Sequence, residues 1–136
     1  MGLYENITEY QNTTMCKITI GTCAGYNNDK EEIDDFEKYL YNKLEEISQN
    51  LGYYMSFFPI VVYKPKTIYK KDWGCPENGE KTYNLEATRN PEFNHDDNLW
   101  RSQVIEIIKI LKKELKQTTV TIQFFNTDII YLKGEN

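Results

Sequence analysis

The sequence is poor in the side chains that most often build metal and catalytic sites. Its 136 residues include one histidine and three cysteines. The cysteines Cys16, Cys23 and Cys75 have no pairwise metal spacing such as CxxC, and one histidine is too few for an ordinary zinc site. Their odd number favours a reduced, intracellular protein. The sequence therefore predicts no metal site, and nothing in it calls for a cofactor.

The sequence also lacks an excess of positive charge and a long apolar run. Its net charge of −5 argues against general binding to DNA or RNA, which requires a basic surface. The longest apolar run, 57–63, is too short to span a bilayer, and the first residues show no signal-peptide pattern. We expect no nucleic-acid partner, no membrane association and a cytoplasmic protein.

What the sequence does have is enough apolar and aromatic material for a folded core. Hydrophobic residues make up 40% of the chain and aromatic residues 14%, with eleven tyrosines. A length of 136 residues is near the common domain size, so we predict one domain over 1–136. Tyrosine buries its ring while its hydroxyl stays wet, which favours grooves and subunit interfaces.

Hydrophobic periodicity predicts a strand followed by a helix in the first half. Apolar and polar residues alternate over 15–22, which is typical of a half-buried strand, and Ile7 could lie on a partner strand across 11–13. A helix is predicted over 29–51, from a capping box at Asp29 and Glu32 to a stop at Gly52. Its apolar residues recur at steps of three and four: Ile33, Phe36, Leu40, Leu44, Ile47 and Leu51.

The second half predicts more strands around a strongly apolar helix. A strand over 53–64 contains Pro59 and should therefore lie at a sheet edge or carry a bulge. A hairpin follows, with strands at 67–70 and 80–86, and a C-terminal hairpin is expected from 119–125 and 128–133. Between them, the helix over 96–117 is apolar around a wide arc, which favours a homo-oligomer joined through this helix.

These elements together predict an α+β fold, with a mainly antiparallel sheet packed against two long helices. The order is β-α-β-β-β-α-β-β.

The polar segment 86–103 is the strongest candidate for a ligand site. It holds both arginines of the chain, Arg89 and Arg101, and its only histidine. Guanidinium groups bind phosphate bidentately and stack on rings, so we expect them to bind a flat anionic ligand. Phe93 could stack on a base, and Asn98 and Gln103 could bind ring edges or ribose hydroxyls.

Two further features bear on this hypothesis. The small-residue loop 21–25 follows a strand and precedes a helix, where backbone amides can approach an anion, and it would add Tyr26 and Asn27 to the site. Against a ligand role, the segment 86–103 can be a structured loop with a capped helix. Asp96 and Asp97 suit the first turn of that helix, and Trp100 suits the core.

No arrangement of residues indicates catalysis. Cys23 precedes a helix and His95 is the only available imidazole base, but the sequence does not place one near the other. The sequence therefore predicts no catalytic residues, and a binding protein rather than an enzyme.

The acidic α+β layout, with an arginine-bearing segment entering the second helix, resembles the phage anti-Thoeris sponge proteins. The resemblance covers most of the chain, and the composition rich in Lys, Asn, Ile and Tyr is similar to that of an AT-rich Firmicute or its prophage. It implies a homo-oligomer that sequesters a cyclic ADP-ribose signal without cleaving it, at pockets between subunits. Such a protein would counteract anti-phage defence in the cytoplasm of an infected or lysogenic bacterium.

Two other functions stay open at this point. Acidic charge and abundant tyrosine also suit a protein-binding module, such as an immunity protein or an inhibitor of a basic toxin or nuclease. A small enzyme using Cys23 or His95 is a third possibility.

Overall fold

The computed structural model describes residues 6–21, 35–51 and 59–134. Five strands and two α-helices are present in these ranges. They are β1 (Asn6–Gly21), α1 (Phe36–Leu51), β2 (Ile60–Tyr63), β3 (Lys66–Thr67), β4 (Glu80–Thr88), α2 (Asp97–Glu114) and β5 (Thr121–Lys133), with a 3₁₀ turn at Lys71–Trp73. No helix in the described ranges has the length and apolar character needed to cross a membrane.

All strand pairs are antiparallel, and the main order is β2-β4-β1-β5, with β3 also paired to β4. The α+β prediction is confirmed. Among the described strands β2 lies at one end of this order, in agreement with the edge position predicted from Pro59, which stands just before β2. The earlier part of the strand predicted over 53–64, residues 53–58, lies outside the described residues.

The core lies between one face of the sheet and both helices. In β1, Cys16, Ile18 and Ile20 are buried, and Leu85 and Ala87 of β4 pair with two of them. Side chains two apart on a strand share a face, so these residues form one apolar layer. The helices cover it with the buried residues Phe36, Leu40, Leu44, Ile47, Trp100, Val104, Ile107, Ile108 and Leu111.

Most apolar residues of α2 are therefore buried in the core of this chain. Trp100 is 1% exposed and its ring meets Phe124 edge-on, with 6.2 Å between centroids, so its predicted role in the core is confirmed. Leu99 is the large apolar residue of α2 that remains exposed. Because burial against the sheet already explains the wide arc, the arc no longer argues for a subunit contact. A homo-oligomer through α2 stays a prediction.

Two predicted interruptions of the sheet are wrong. The segment before residue 13 is no separate strand, and 119–133 is no hairpin: β1 and β5 are each continuous and pair along their length. The register shifts between Tyr10 and Thr13, where Asn12 adopts φ 59°. The Asn12 amide donates to Asp128 Oδ1 (3.0 Å), and Asn126 Nδ2 donates to Asn12 Oδ1 (3.2 Å). The asparagines that suggested turns thus form a β-bulge.

The helix boundaries differ from prediction at the start of α1 and at the end of α2, which lies at Glu114 instead of residue 117. α1 begins at Phe36, where the Asp35 carboxylate accepts the Lys38 amide hydrogen (3.2 Å). The capping box predicted at Asp29 and Glu32 lies outside the described residues. α2 begins as expected, since Asp96 accepts the Leu99 amide hydrogen (3.1 Å).

Candidate functional site

The polar segment after β4 is fixed by a tight turn. The Arg89 amide donates to the Thr14 carbonyl (2.8 Å), which holds the end of β4 against β1. Asn90 then turns the chain, because its side chain accepts the Glu92 amide hydrogen (2.9 Å) and its carbonyl accepts that of Asn94 (2.9 Å). The segment is therefore an ordered connection between the sheet and α2.

Asp97, in the first turn of α2, joins both arginines. Its Oδ2 accepts a hydrogen bond from Arg101 Nε (2.9 Å), and its Oδ1 lies 3.2 Å from Arg89 Nε and accepts from Thr14 Oγ1. The Arg89–Asp97 contact is an ion pair but not a hydrogen bond, because the buried Nε of Arg89 has no acceptor of suitable geometry among the described residues. Arg89 Nη1 donates to the Asn94 carbonyl (2.7 Å).

The two positive charges around Asp97 act on its ionisation. Burial raises the pKa of the Asp97 carboxyl, but the Thr14 hydrogen bond and the charges of Arg101 and Arg89 outweigh it, so this pKa lies below its usual value. Arg101 Nη2 also donates to Thr14 Oγ1 (3.1 Å), and its guanidinium carbon lies 5.0 Å from the centre of the Phe124 ring. We call Thr14, Arg89, Asp97 and Arg101 the arginine cluster.

The other predicted ligand residues differ in their exposure. Phe93 is 78% exposed and Asn98 is also exposed, whereas Gln103 on α2 is half-buried. Tyr26 and Asn27 lie outside the described residues, as does Cys23. The ligand role of these side chains, and that of the two arginines, stays a prediction.

A cavity of about 210 Å³ lies at the opposite end of β1. Gly21 lines it and Thr14 belongs to the arginine cluster, so the two places are about 23 Å apart along the strand at about 3.3 Å per residue. Thr19 and its pairing partner Thr121 face away from the buried layer, so the cavity opens on the uncovered face of the sheet. Its lining residues are Thr19, Gly21, Thr67, Tyr69, Trp73, Glu80, Thr82, Gln117, Thr118, Thr119 and Thr121.

Six of the eleven described lining residues of this cavity are threonines, which contribute methyl groups as well as hydroxyls to its wall. Thr67 and Thr82 share a hydrogen bond between their hydroxyls (2.9 Å), and Thr82 Oγ1 also contacts the Pro65 carbonyl (3.3 Å). Thr19 Oγ1 donates to Asn84 Oδ1 (3.0 Å). Each hydroxyl can donate one hydrogen bond and accept others, so the wall suits a neutral polar ligand such as a nucleoside.

The end of α2 is packed directly against the end of β1. A Cβ on Gly21 would lie 2.5 Å from Gln117 Oε1, so only glycine fits there without displacing that side chain. Lys116 adopts φ 53° and the Gln117 amide donates to the Lys112 carbonyl (3.0 Å), which ends the helix and turns residues 117–119 towards the cavity.

The loop between β3 and β4 supplies aromatic rings and a charge. Tyr69 is held by its amide, which donates to Cys75 Sγ (3.4 Å), and its hydroxyl lies 3.5 Å from the Gly74 carbonyl. Trp73 ends the 3₁₀ turn and is 62% exposed. Glu80 begins β4 and is the only charged residue among the described lining residues.

Reasoning from the sequence missed this cavity. The hairpin that carries Trp73 and Glu80 was predicted, but only as turn chemistry. Two signals could have drawn notice: the run Thr118-Thr119-Val120-Thr121 and a tryptophan next to glycine in a polar loop. Neither signal shows that residues from four strands and two connections meet at one place.

Comparison with known proteins finds a matching sequence family and a solved structure with a similar fold. The sequence model of the family described as SAM lyase matches residues 11–133, a stretch that contains every residue lining the cavity. A solved structure described as a phage SAM lyase in complex with S-methyl-5′-thioadenosine has a similar fold, with a TM-score of 0.56. It is 13% identical, and the match covers 93% of this chain and 92% of that chain. No curated protein matches.

The family match corrects the functional predictions. The anti-Thoeris resemblance is wrong at the level of the family, and sequestration of cyclic ADP-ribose by a sponge is overturned with it. The prediction of a protein without enzymatic activity is wrong too, because a lyase breaks a covalent bond. The prediction rested on the lack of a nucleophile and base pair, and that lack excludes only reactions in which the protein supplies them.

The matched stretch spans nearly the whole chain, including both helices and all five strands apart from the first residues of β1. The fold agrees with that of the solved phage enzyme. The chain belongs to the SAM lyase family.

Proposed function

We propose that the protein cleaves S-adenosylmethionine (SAM) and releases S-methyl-5′-thioadenosine. The match of the SAM lyase family to residues 11–133 carries this proposal. The bond that breaks joins the sulfonium sulfur to the γ carbon of the amino-acid part. The sulfur keeps the electron pair of that bond and leaves as a neutral thioether.

The amino-acid part of SAM can itself replace the bond that is lost at its γ carbon. Its own carboxylate oxygen can bond to the γ carbon as the thioether leaves, which closes a five-membered lactone and consumes no water. The protein then supplies position rather than a nucleophile. This fits the described lining residues of the cavity, which include no cysteine, histidine or lysine.

Glu80 is the residue we propose to bind the sulfonium. It is the only charged side chain among the described lining residues, and its sign is opposite to that of the substrate's sulfur. Near a protein surface, opposite charges about 4 Å apart attract by several kcal/mol before desolvation. The attraction disappears when sulfur becomes neutral, so Glu80 favours the substrate over the thioether product and helps that product to leave.

The test is to incubate the purified protein with SAM and follow S-methyl-5′-thioadenosine by liquid chromatography. We expect release of the thioether by the wild type and a fall in kcat/KM of about tenfold, equal to about 1.4 kcal/mol, for Glu80→Gln. Glu77→Gln, an exposed acid in the same loop, is the matched control and should behave like the wild type. Absence of the thioether with the wild type would refute the proposed reaction.

The proposed reaction also bears on where in the cell the protein acts. The solved neighbour is a phage protein, and the composition of this chain suits a phage or prophage of an AT-rich bacterium. We propose that it acts in the cytoplasm of the infected host, where removal of SAM would starve defence systems that use SAM as methyl donor or cofactor.

A further inference from the structure

The two tryptophans of the chain have opposite environments. Trp100 is 1% exposed in the core, whereas Trp73 is 62% exposed and lines the cavity. Single exposed apolar side chains are common on protein surfaces, but the exposed ring of Trp73 stands on the wall of a cavity. Its position suggests that a ligand covers the indole when bound.

The backbone around Trp73 is held firmly although the ring is open. The Trp73 amide donates to the Lys70 carbonyl (2.9 Å), and the Gly74 amide donates to that of Lys71 (2.9 Å). Gly74 adopts φ 96°, a left-handed conformation that glycine accepts without strain, and it ends the turn directly after the tryptophan. The indole is therefore carried at a fixed point on the cavity wall.

The charge of Lys70 determines which part of SAM can bind against the indole of Trp73. Its Nζ lies over the Trp73 ring, 5.6 Å from the ring centre. A second cation placed on the same ring would be repelled by this ammonium group, so the sulfonium does not suit this place. A neutral planar base does, because stacking on an aromatic ring needs no charge.

We propose that Trp73 stacks on the adenine ring and is a specificity-determining residue for adenine-bearing ligands. The inference rests on the proposed function and divides recognition into two parts. Trp73 recognises the base, which substrate and thioether product share, and Glu80 recognises the positive sulfur, which only the substrate has.

Two probes separate these parts, with dissociation constants measured by isothermal titration calorimetry. S-methyl-5′-thioadenosine carries the adenine without a charge, and S-methylmethionine carries a sulfonium without adenine. For Trp73→Leu we expect about tenfold weaker binding of the first probe and unchanged binding of the second. For Glu80→Gln we expect the converse. Tyr41→Leu, which removes a ring that is 65% exposed on α1, is the matched control and should change neither.

The outcomes keep the inference apart from the proposed function. If Trp73→Leu binds S-methyl-5′-thioadenosine as the wild type does while the wild type cleaves SAM, the inference is overturned and the function stands. If Trp73→Leu weakens both probes alike, the residue acts on the shape of the cavity and the inference is again overturned. If the wild type binds the thioether through Trp73 but cleaves no SAM, the proposed reaction fails alone.

Discussion

The two ends of β1 show opposite ways of using polar residues. At one end, the arginine cluster places two guanidinium groups around Asp97, whose carboxylate pairs with both. At the other end, the cavity is lined by neutral hydroxyls and by Glu80 as the one described charge. Within the described residues, the arginine cluster links β1, β4 and α2 through contacts inside the chain, whereas the cavity end has space and exposed side chains for a ligand.

The comparison predicts its largest effect at Asp97. Asp97→Asn removes the anion and leaves the buried Arg89 beside a neutral amide, so we expect the free energy of unfolding to fall by about 2 kcal/mol, less than for a fully buried pair because the Asp97 side chain is 35% exposed. Urea unfolding followed by circular dichroism measures this effect, with Glu45→Gln on the exposed side of α1 as the matched control. SAM cleavage per folded molecule should stay within about twofold of the wild type. A selective loss of catalysis in a stable Asp97→Asn protein would instead make the arginine cluster part of the active site.

The difference in unfolding free energy between the wild type and Asp97→Asn should depend on pH. The pKa of Asp97 is lower in the folded protein than its usual value, so the ionised carboxylate stabilises the fold at neutral pH. This contribution declines below about pH 5 and is lost as the pH falls through the folded-state pKa, because the usual aspartate value is about 3.9. We expect the unfolding free energies of wild type and Asp97→Asn to converge over that range. A difference that stays constant down to pH 3 would contradict the ion-pair account.

A smaller effect is expected at the cavity end. Gly21→Ala would push the Gln117 side chain from its place, since the added Cβ would lie 2.5 Å from Gln117 Oε1. Because the obstacle is the end of a flexible side chain, the loss of stability should be about 1 kcal/mol. We expect binding of S-methyl-5′-thioadenosine to weaken about threefold, as calorimetry would show, since the displaced side chain lines the cavity. Adding Gln117→Ala should restore it. If the double variant binds no better than Gly21→Ala, the clash is not the cause.

Much of the fold could be predicted because its signals are local. Alternation over 15–22 identified the buried part of β1, Asp96 identified the start of α2, and Pro59 identified an edge strand. The continuity of β1 and β5 could not be predicted, because Asn12 and Asn126 look like turn residues until their side chains are seen to bond to each other. Their partner is more than a hundred residues away, beyond the reach of any local pattern.

The candidate site was less predictable for a physical reason. Two arginines near the start of one helix predict an anion site. The sequence does not show whether a carboxylate of the chain, such as that of Asp97, already pairs with them. The cavity could not be predicted for a different reason, because no single threonine in the sequence indicates a site. Pairing makes the site: register places Thr19 beside Thr121, and Gly21 beside Thr82. In the proposed reaction the substrate's own carboxylate is the nucleophile, so the protein needs no nucleophile motif.

The place of β1 in the sheet also governs the order in which the protein can fold. β1 lies between β4 and β5, and both partners follow it late in the chain, as the contact between Asn12 and Asp128, 116 residues apart, illustrates. During synthesis, Cys16, Ile18 and Ile20 therefore emerge before either neighbouring strand and before α2, and α1 is the one part of their cover that follows early in the chain. Contacts this distant close slowly and leave apolar strand surface exposed meanwhile. β1 therefore has neither of its neighbouring strands until the chain has been made as far as residues 80–133.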